Sequence, residues 1–207
     1  MANPLDAAVF ACLTTTFYAI ARLGEFTVPT TKHTFDPQKH ISRSGVSDAT
    51  DCNNLQVKKF RLPQTKLSAS GEDAFWAAQT GPSDPKVALE NHLLVNPAGP
   101  DDHLFAWLHP SAGLRPLSKY QFLKRMSAAT KASSIPNFKG HSLRIGGTLE
   151  YLLQGIPFDV VKSMGRWSGE SFTIYLRHHA NILAPYLQAS PALEPFIQRT
   201  IAMPPVR

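Results

Sequence analysis

The chain has 207 residues, enough for one sizeable domain, or at most two small ones, with an ordinary hydrophobic core. Hydrophobic residues make up 43% and charged residues 17%, which excludes a disordered tail and a coiled coil. The 21 Lys and Arg against 15 Asp and Glu give a net charge of +6 and a pI near 9.4, an excess that suits a polyanion such as nucleic acid.

The first helix is predicted from about Pro4 to Phe26, closed by Pro29, with Leu5, Val9, Leu13, Phe17 and Ile20 at three- and four-residue steps. Its end, Ala19-Ile20-Ala21, has the look of a signal-peptide cleavage site. No basic region precedes it, however, and Thr14, Thr15 and Thr16 interrupt the apolar run, so it reads as a core helix. No stretch reaches the length of a membrane span. Cys12 and Cys52 are the only cysteines, too few for a disulfide framework or a cysteine-based zinc site, and predict a reducing, intracellular home.

The polar stretch from Thr30 to Asn54, with Pro37 and Gly45, predicts irregular structure and a short strand around Ile41 to Val46. Leu55, Val57 and Phe60 to Leu62, then Phe75, Trp76 and Ala78, predict two strands around a turn from Lys66 to Asp73. Asp84 caps a helix bearing Val87, Leu89, His92, Leu93 and Leu94 that ends before Pro97. The remainder is predicted helical. Ser118 caps one helix, and others follow at about His141 to Leu153, Pro157 to Met164 and Ser168 to His178. Two apolar clusters, Leu183 to Leu187 and Leu193 to Ile197, make the tail from Ile182 a docking segment.

The chemistry concentrates in two segments. In Gly140-His141-Ser142-Leu143-Arg144-Ile145-Gly146-Gly147, His141 and Arg144 share one face at a helix start, where backbone N–H groups, the helix dipole and a guanidinium fork suit phosphate. Gly146 and Gly147, poor helix formers, predict close approach of another backbone. Alone, an H-x-x-R pair reads more simply as a surface His and Arg, because such spacings arise by chance. In the second segment, Gly165-Arg166-Trp167-Ser168 precedes a helix whose Tyr175 lies eight residues beyond Trp167. A core Trp and a buried Tyr at a helix junction are the bland alternative.

The order His141-x-x-Arg144, Gly165-Arg166-Trp167-Ser168, then Tyr175 with Arg177 behind it, resembles the tyrosine recombinases, most closely those of eukaryotic mobile elements. The resemblance extends upstream. Arg22-Leu23-Gly24-Glu25 is similar to the family's first catalytic Arg and its companion Glu, and Lys66 sits where the family carries its hairpin lysine, with Lys58, Lys59 and Lys32 as nearby alternatives. Trp167 stands where many bacterial members carry His, and its step to Tyr175 is one residue shorter, as in eukaryotic mobile-element relatives.

The resemblance implies a mainly α fold with a small antiparallel β-sheet (α+β), that of the tyrosine recombinase catalytic domain. Residues 1–207 would form that single domain, with a core of about 4–180 and a tail of about 181–207 that docks on a neighbouring protomer. The family's N-terminal DNA-clamping domain is expected to be absent. Tyr175 would attack a phosphodiester to give a 3′-phosphotyrosine. Arg22 and Arg144 would neutralise charge, Lys66 would protonate the leaving oxygen, His141 would assist proton movement or hold a phosphate oxygen, and Trp167 would donate its indole N–H. No metal, ATP or other cofactor is implied, and the histidines and carboxylates form no H-E-x-x-H or comparable set. The expected partners are double-stranded DNA and further copies on DNA, without a membrane, inside the cell and in the nucleus if the source is eukaryotic. The competing readings are a DNA-binding remnant that keeps the fold without recombination, a topoisomerase-like nicking enzyme, and a plain helical scaffold.

Overall fold

The computed structural model describes residues 1–30, 35–50, 52–66, 68–136 and 139–169. These fall into two compact units, Met1–Arg144 and the residues from Ile145 onward.

Helix α1 covers Pro4–Tyr18. Asn3 caps it by accepting the Asp6 N–H at 3.0 Å, and Pro4 opens the first turn, where its missing N–H costs nothing. The expected stripe is only part of its buried face. Val9 and Ile20 are buried and Leu5, Leu13 and Phe17 half-buried, whereas Ala7, Ala8, Ala11, Cys12, Thr14, Thr15 and Thr16 are buried as well. Such all-round enclosure is tolerable because the side chains are small and Thr14 turns its hydroxyl back onto the Phe10 carbonyl at 3.1 Å.

The helix also ends earlier than Phe26. After Tyr18, the N–H of Ala21 reaches the Thr16 carbonyl at 2.9 Å and that of Ile20 reaches Phe17 at 3.1 Å, the paired closure of a Schellman turn. Its left-handed position belongs to Ile20, at φ 45°, where glycine is usual. A β-branched residue there stores roughly 1–3 kcal/mol of strain.

Strands β1 (Val46–Thr50), β2 (Gln56–Leu62) and β3 (Glu72–Trp76) form an antiparallel sheet with β2 in the centre. Phe60 pairs with Ala74 and Leu62 with Glu72, and alternation buries Phe60, Leu62, Ala74 and Trp76. β1 begins where the expected strand at Ile41 to Val46 was to end. Ile41 is instead a buried loop residue, followed by a 3₁₀ turn at Arg43–Gly45. Phe26 packs edge-on against Phe60 (centroids 5.6 Å) and Phe105 (5.9 Å), joining the sheet to the segment after α1.

Helix α2 (Pro85–Val95) is capped by Asp84, as its sequence predicts, and packs on α1. Behind them lies a buried polar network. Asn96 accepts the Leu108 N–H at 2.9 Å and donates to the Pro4 carbonyl at 2.9 Å, and its amide nitrogen lies 3.1 Å from His92 Nδ1. The His92 Nε2 lies 3.1 Å from the Leu104 carbonyl.

The expectation that everything after α2 is helical needs correction. β4 (Trp107–His109) and β5 (Gly113–Arg115) form a second hairpin, three residues a side, too short to show a period and closed by Gly113 at φ 67°. Helix α3 (Lys119–Ala132) then starts with a capping box, Ser118 accepting the Gln121 N–H while the Gln121 side chain accepts the Ser118 N–H.

Helix α4 is Gly140–Leu153 and α5 is Phe158–Met164. Each closes as α1 does, α4 around Gly155 (φ 79°) and α5 around Arg166 (φ 56°). The predicted helix from Ser168 to His178 and the docking tail lie outside the described residues beyond Gly169.

Candidate functional site

The site grows from the abrupt end of α1. Released from the helix, Arg22 is extended (φ −83°, ψ 135°) and opens a 3₁₀ turn, Leu23–Glu25. Its backbone N–H donates to Glu25 Oε2 and its guanidinium to Glu25 Oε1, both at 3.0 Å. The Glu25 side chain is 5% exposed and that of Arg22 is 29% exposed, so a fixed carboxylate orients an arginine that still meets solvent.

Two contacts hold this turn beside the start of α4. A Cβ added to Gly140 would lie 2.8 Å from Leu23 Cδ2 and 3.4 Å from Leu23 Cβ, so any larger residue there would press on the buried Leu23 side chain. Arg144, 1% exposed, donates from NH1 to the carbonyl of Ile20 at 2.9 Å. That carbonyl belongs to the strained left-handed residue, so the irregular ending of α1 is tied directly to the second arginine. The bond uses one of the five guanidinium donors.

His141 lies between the two arginines electrostatically. Its pKa is lowered first by desolvation, then by Arg144 and by Arg22. Both cations therefore disfavour an imidazolium and favour the neutral ring.

Arg22 and Lys66 line one open cleft of about 460 Å³, with Gly24, Glu25, Gln64 and Thr65 among its walls. Lys66 sits on the turn between β2 and β3. Thr65 donates its hydroxyl to Glu72 at 2.7 Å and its N–H to the Ser68 carbonyl at 2.9 Å, while the Ser68 N–H returns to the Thr65 hydroxyl at 3.1 Å. Gly71 completes the turn at φ 80°, where a Cβ would fall 2.2 Å from the Leu62 carbonyl oxygen. Of the alternative lysines, Lys58 pairs with Asp48 and Lys59 with Asp73, the latter at 2.9 Å, along the sheet. Lys32 lies outside the described residues.

Trp167 belongs to the second unit. The turn closing α5 bonds its N–H to the Lys162 carbonyl at 3.2 Å, and its ring occupies the space that a Cβ on Gly165 would need, 1.7 Å from Cζ3. The dipeptide before Trp167 is thus shaped by that ring. Tyr175 and Arg177 lie outside the described residues, as does any structural account of the Tyr175 helix. Gly140 is a close approach that the sequence alone does not single out.

Three basic cleft residues escaped the sequence reading: Lys39, His40 and Lys119. Lys39 and His40 fall in a polar stretch without periodicity. Lys119 has one signal, its place directly after the cap Ser118. Lys39 pairs with Asp36 at 3.3 Å. Among the described residues no three His, Cys, Asp or Glu side chains gather as a metal site, and no helix is long and apolar enough to cross a membrane.

No protein-family model matches the chain, and a search of curated proteins finds no relative. Solved structures do match. The fold is similar to that in the FLP Recombinase-Holliday Junction Complex I, with a TM-score of 0.53 and 14% identity over 96% of this chain and 45% of that one. It is likewise similar to the Flpe-Holliday Junction Complex, with a TM-score of 0.55 and 14% identity over 92% of this chain and 44% of that one. The chain spans less than half the length of either protein. The mixture of helices with a small antiparallel sheet is therefore a recombinase-like fold, and the likeness is one of fold.

Proposed function

We propose that this chain is a tyrosine recombinase that cuts and rejoins double-stranded DNA in recombination or integration, without metal or ATP. The observation that carries the reading is the gathering, within one compact unit, of Arg22 and Lys66 on one cleft, with Arg144 bonded to the Ile20 carbonyl two residues before Arg22 and His141 in the field of both arginines. These types are what an uncoordinated phosphodiester requires. Its anionic oxygens repel a nucleophile, so arginines that never deprotonate neutralise them, and its alkoxide leaves poorly, so an acid must supply a proton.

In the proposed reaction the Tyr175 oxygen attacks phosphorus, and the bond to the 5′ oxygen breaks. Neutral His141 accepts or relays the phenolic proton, and Lys66 gives its proton to the departing 5′ oxygen. The product is a 3′-phosphotyrosine and a free 5′-hydroxyl. Attack by a 5′-hydroxyl on that link reverses the step, so no external energy is consumed. Trp167 would add an indole N–H to a phosphate oxygen. Copies assembled on paired sites would exchange strands.

The test is a duplex nicked close to the cleavage site, so that the released fragment diffuses away and the adduct is trapped. The expected result is a protein–DNA adduct that Tyr175→Phe abolishes while leaving DNA affinity nearly unchanged. DNA binding with no adduct would make the chain a binding remnant. Relaxation of supercoiled DNA by a monomer would make it topoisomerase-like.

A further inference from the structure

The cleft holds more positive charge than one phosphate needs. Arg22, Lys39, Lys66 and Lys119 line it with His40, against a single lining carboxylate, Glu25. Glu25 is bound to Arg22, and Lys39 is paired with Asp36. Lys66 and Lys119 have no hydrogen-bonded or ion-paired side-chain partner among the described residues.

The two lysines are carried on separate supports. Lys66 rides the β2–β3 turn. The Lys119 backbone N–H donates to the Val28 carbonyl at 2.8 Å, and the Val28 N–H donates to Leu117 at 3.1 Å. Val28, Leu117 and Ser118 are fully buried. Lys119 therefore starts from a fixed backbone, tied to the segment just after the Arg22 turn, and only its exposed side chain is left to move. A lone lysine on a floppy loop would lose most of its attraction to ordering, and this one does not.

We propose that Lys119 forms a second phosphate site in the cleft, holding a backbone phosphate that flanks the one gripped by Arg22, and so sets the register of the strand before cleavage. The inference rests on the recombinase reading for its ligand, a DNA strand with consecutive phosphates. A phosphate contact of this kind positions without reading bases. Lys39, already paired, adds to the potential of the cleft without being the contact.

The experiment uses the 207-residue chain and nicked duplexes carrying one neutral methylphosphonate, placed in turn at the scissile position and at each neighbour. Binding is measured by fluorescence anisotropy across salt for the wild type, Lys119→Ala and Lys119→Arg, with Lys86→Ala, an exposed lysine of α2 outside the cleft, as control. Losing one phosphate contact should make the slope of log K against log salt shallower by about 0.9, so the Kd ratio of variant to wild type grows about eightfold for each tenfold fall in salt. Lys119→Arg should keep the slope. The identifying result is a cycle: neutralising one flanking phosphate weakens the wild type but adds nothing to Lys119→Ala, whereas all other positions add in full. An unchanged slope, full additivity at every position, or coupling to the scissile phosphate itself overturns the second site. The recombinase reading fails separately, on absence of a wild-type adduct, and the binding cycle still decides Lys119.

Discussion

Two buried histidines, His92 and His103, should make this protein unusually sensitive to mild acid. Asn96 fixes the state of His92: its oxygen accepts the Leu108 N–H, so its nitrogen faces His92 Nδ1 and must donate. The His92 Nε2 then carries the proton and donates to Leu104. His103 Nδ1 likewise accepts the Phe105 N–H at 3.2 Å. Each ring is therefore held neutral, and a second proton would set two donors against each other. Burial is the leading cause that lowers the pKa of His92 to about 4 and that of His103 to about 3, with Arg43 adding repulsion at both.

A folded pKa below the unfolded value of 6.5 means that the unfolded chain takes up protons first. The stability is whole above about 6.5 and falls as pH drops toward 4. At pH 5 each histidine should remove about 2 kcal/mol, or about 4 kcal/mol together, against a typical domain stability of about 5–15 kcal/mol. The network supports the site, since Phe105 lies 5.5 Å from the His92 ring and packs on Phe26, next to Glu25. Urea unfolding from pH 7.5 to 5 should give a slope approaching two protons per molecule. His103→Leu should start less stable at pH 7 yet show about half that slope. A flat profile across this range, or histidine ring signals titrating near 6.5 in the folded protein, would refute the reasoning.

Further outcomes follow from the site. Arg22→Ala should raise the His141 pKa toward its ordinary value, read by NMR titration without DNA, because one of the two cations that lower it is gone; an unmoved pKa would separate Arg22 from His141. Arg144→Lys should slow adduct formation by about 10² to 10³, the scale for losing one preorganised donor, and lower stability by about 1–3 kcal/mol through the weakened bond to Ile20. Near-normal single-turnover cleavage would remove Arg144 from the phosphate clamp. Lys66→Ala should be rescued by a substrate whose bridging 5′ oxygen is sulfur, a better leaving group that needs less protonation, and Thr65→Val, which loosens the same turn, should show a smaller defect with the same rescue. Rescue at Lys58 or Lys59 instead would move the acid. Gly140→Ala should impair cleavage by pushing Leu23 and the Arg22 turn away, and Leu23→Ala in the same chain should restore part of it; an additive double variant would deny that this contact positions Arg22.

The sequence by itself determined what is local. Ser118 with Gln121, and Asp84 ahead of Pro85, mark helix starts because a side chain caps orphan N–H groups within three residues. Phe60, Leu62 and Trp76 mark two strands because apolar residues alternate with the pleat, although Phe75 and Ala78, read with Trp76, are exposed and the buried partner is Ala74. The order of Arg22, His141, Arg144, Gly165, Trp167 and Tyr175 carried the resemblance because spacing survives in a linear string. Only the tertiary structure decided the rest. The end of α1 falls at an isoleucine that no propensity would place in a left-handed turn, and it is held there by a hydrogen bond to Arg144, 124 residues away. The hairpin at Trp107–His109 and Gly113–Arg115 is too short to carry a period. Lys39, His40 and Lys119 look like ordinary surface residues until the fold sets them around one cleft with Arg22 and Lys66. A pattern along the chain reports which faces are apolar, whereas a binding site is a meeting of segments distant in sequence, and that meeting is settled by packing.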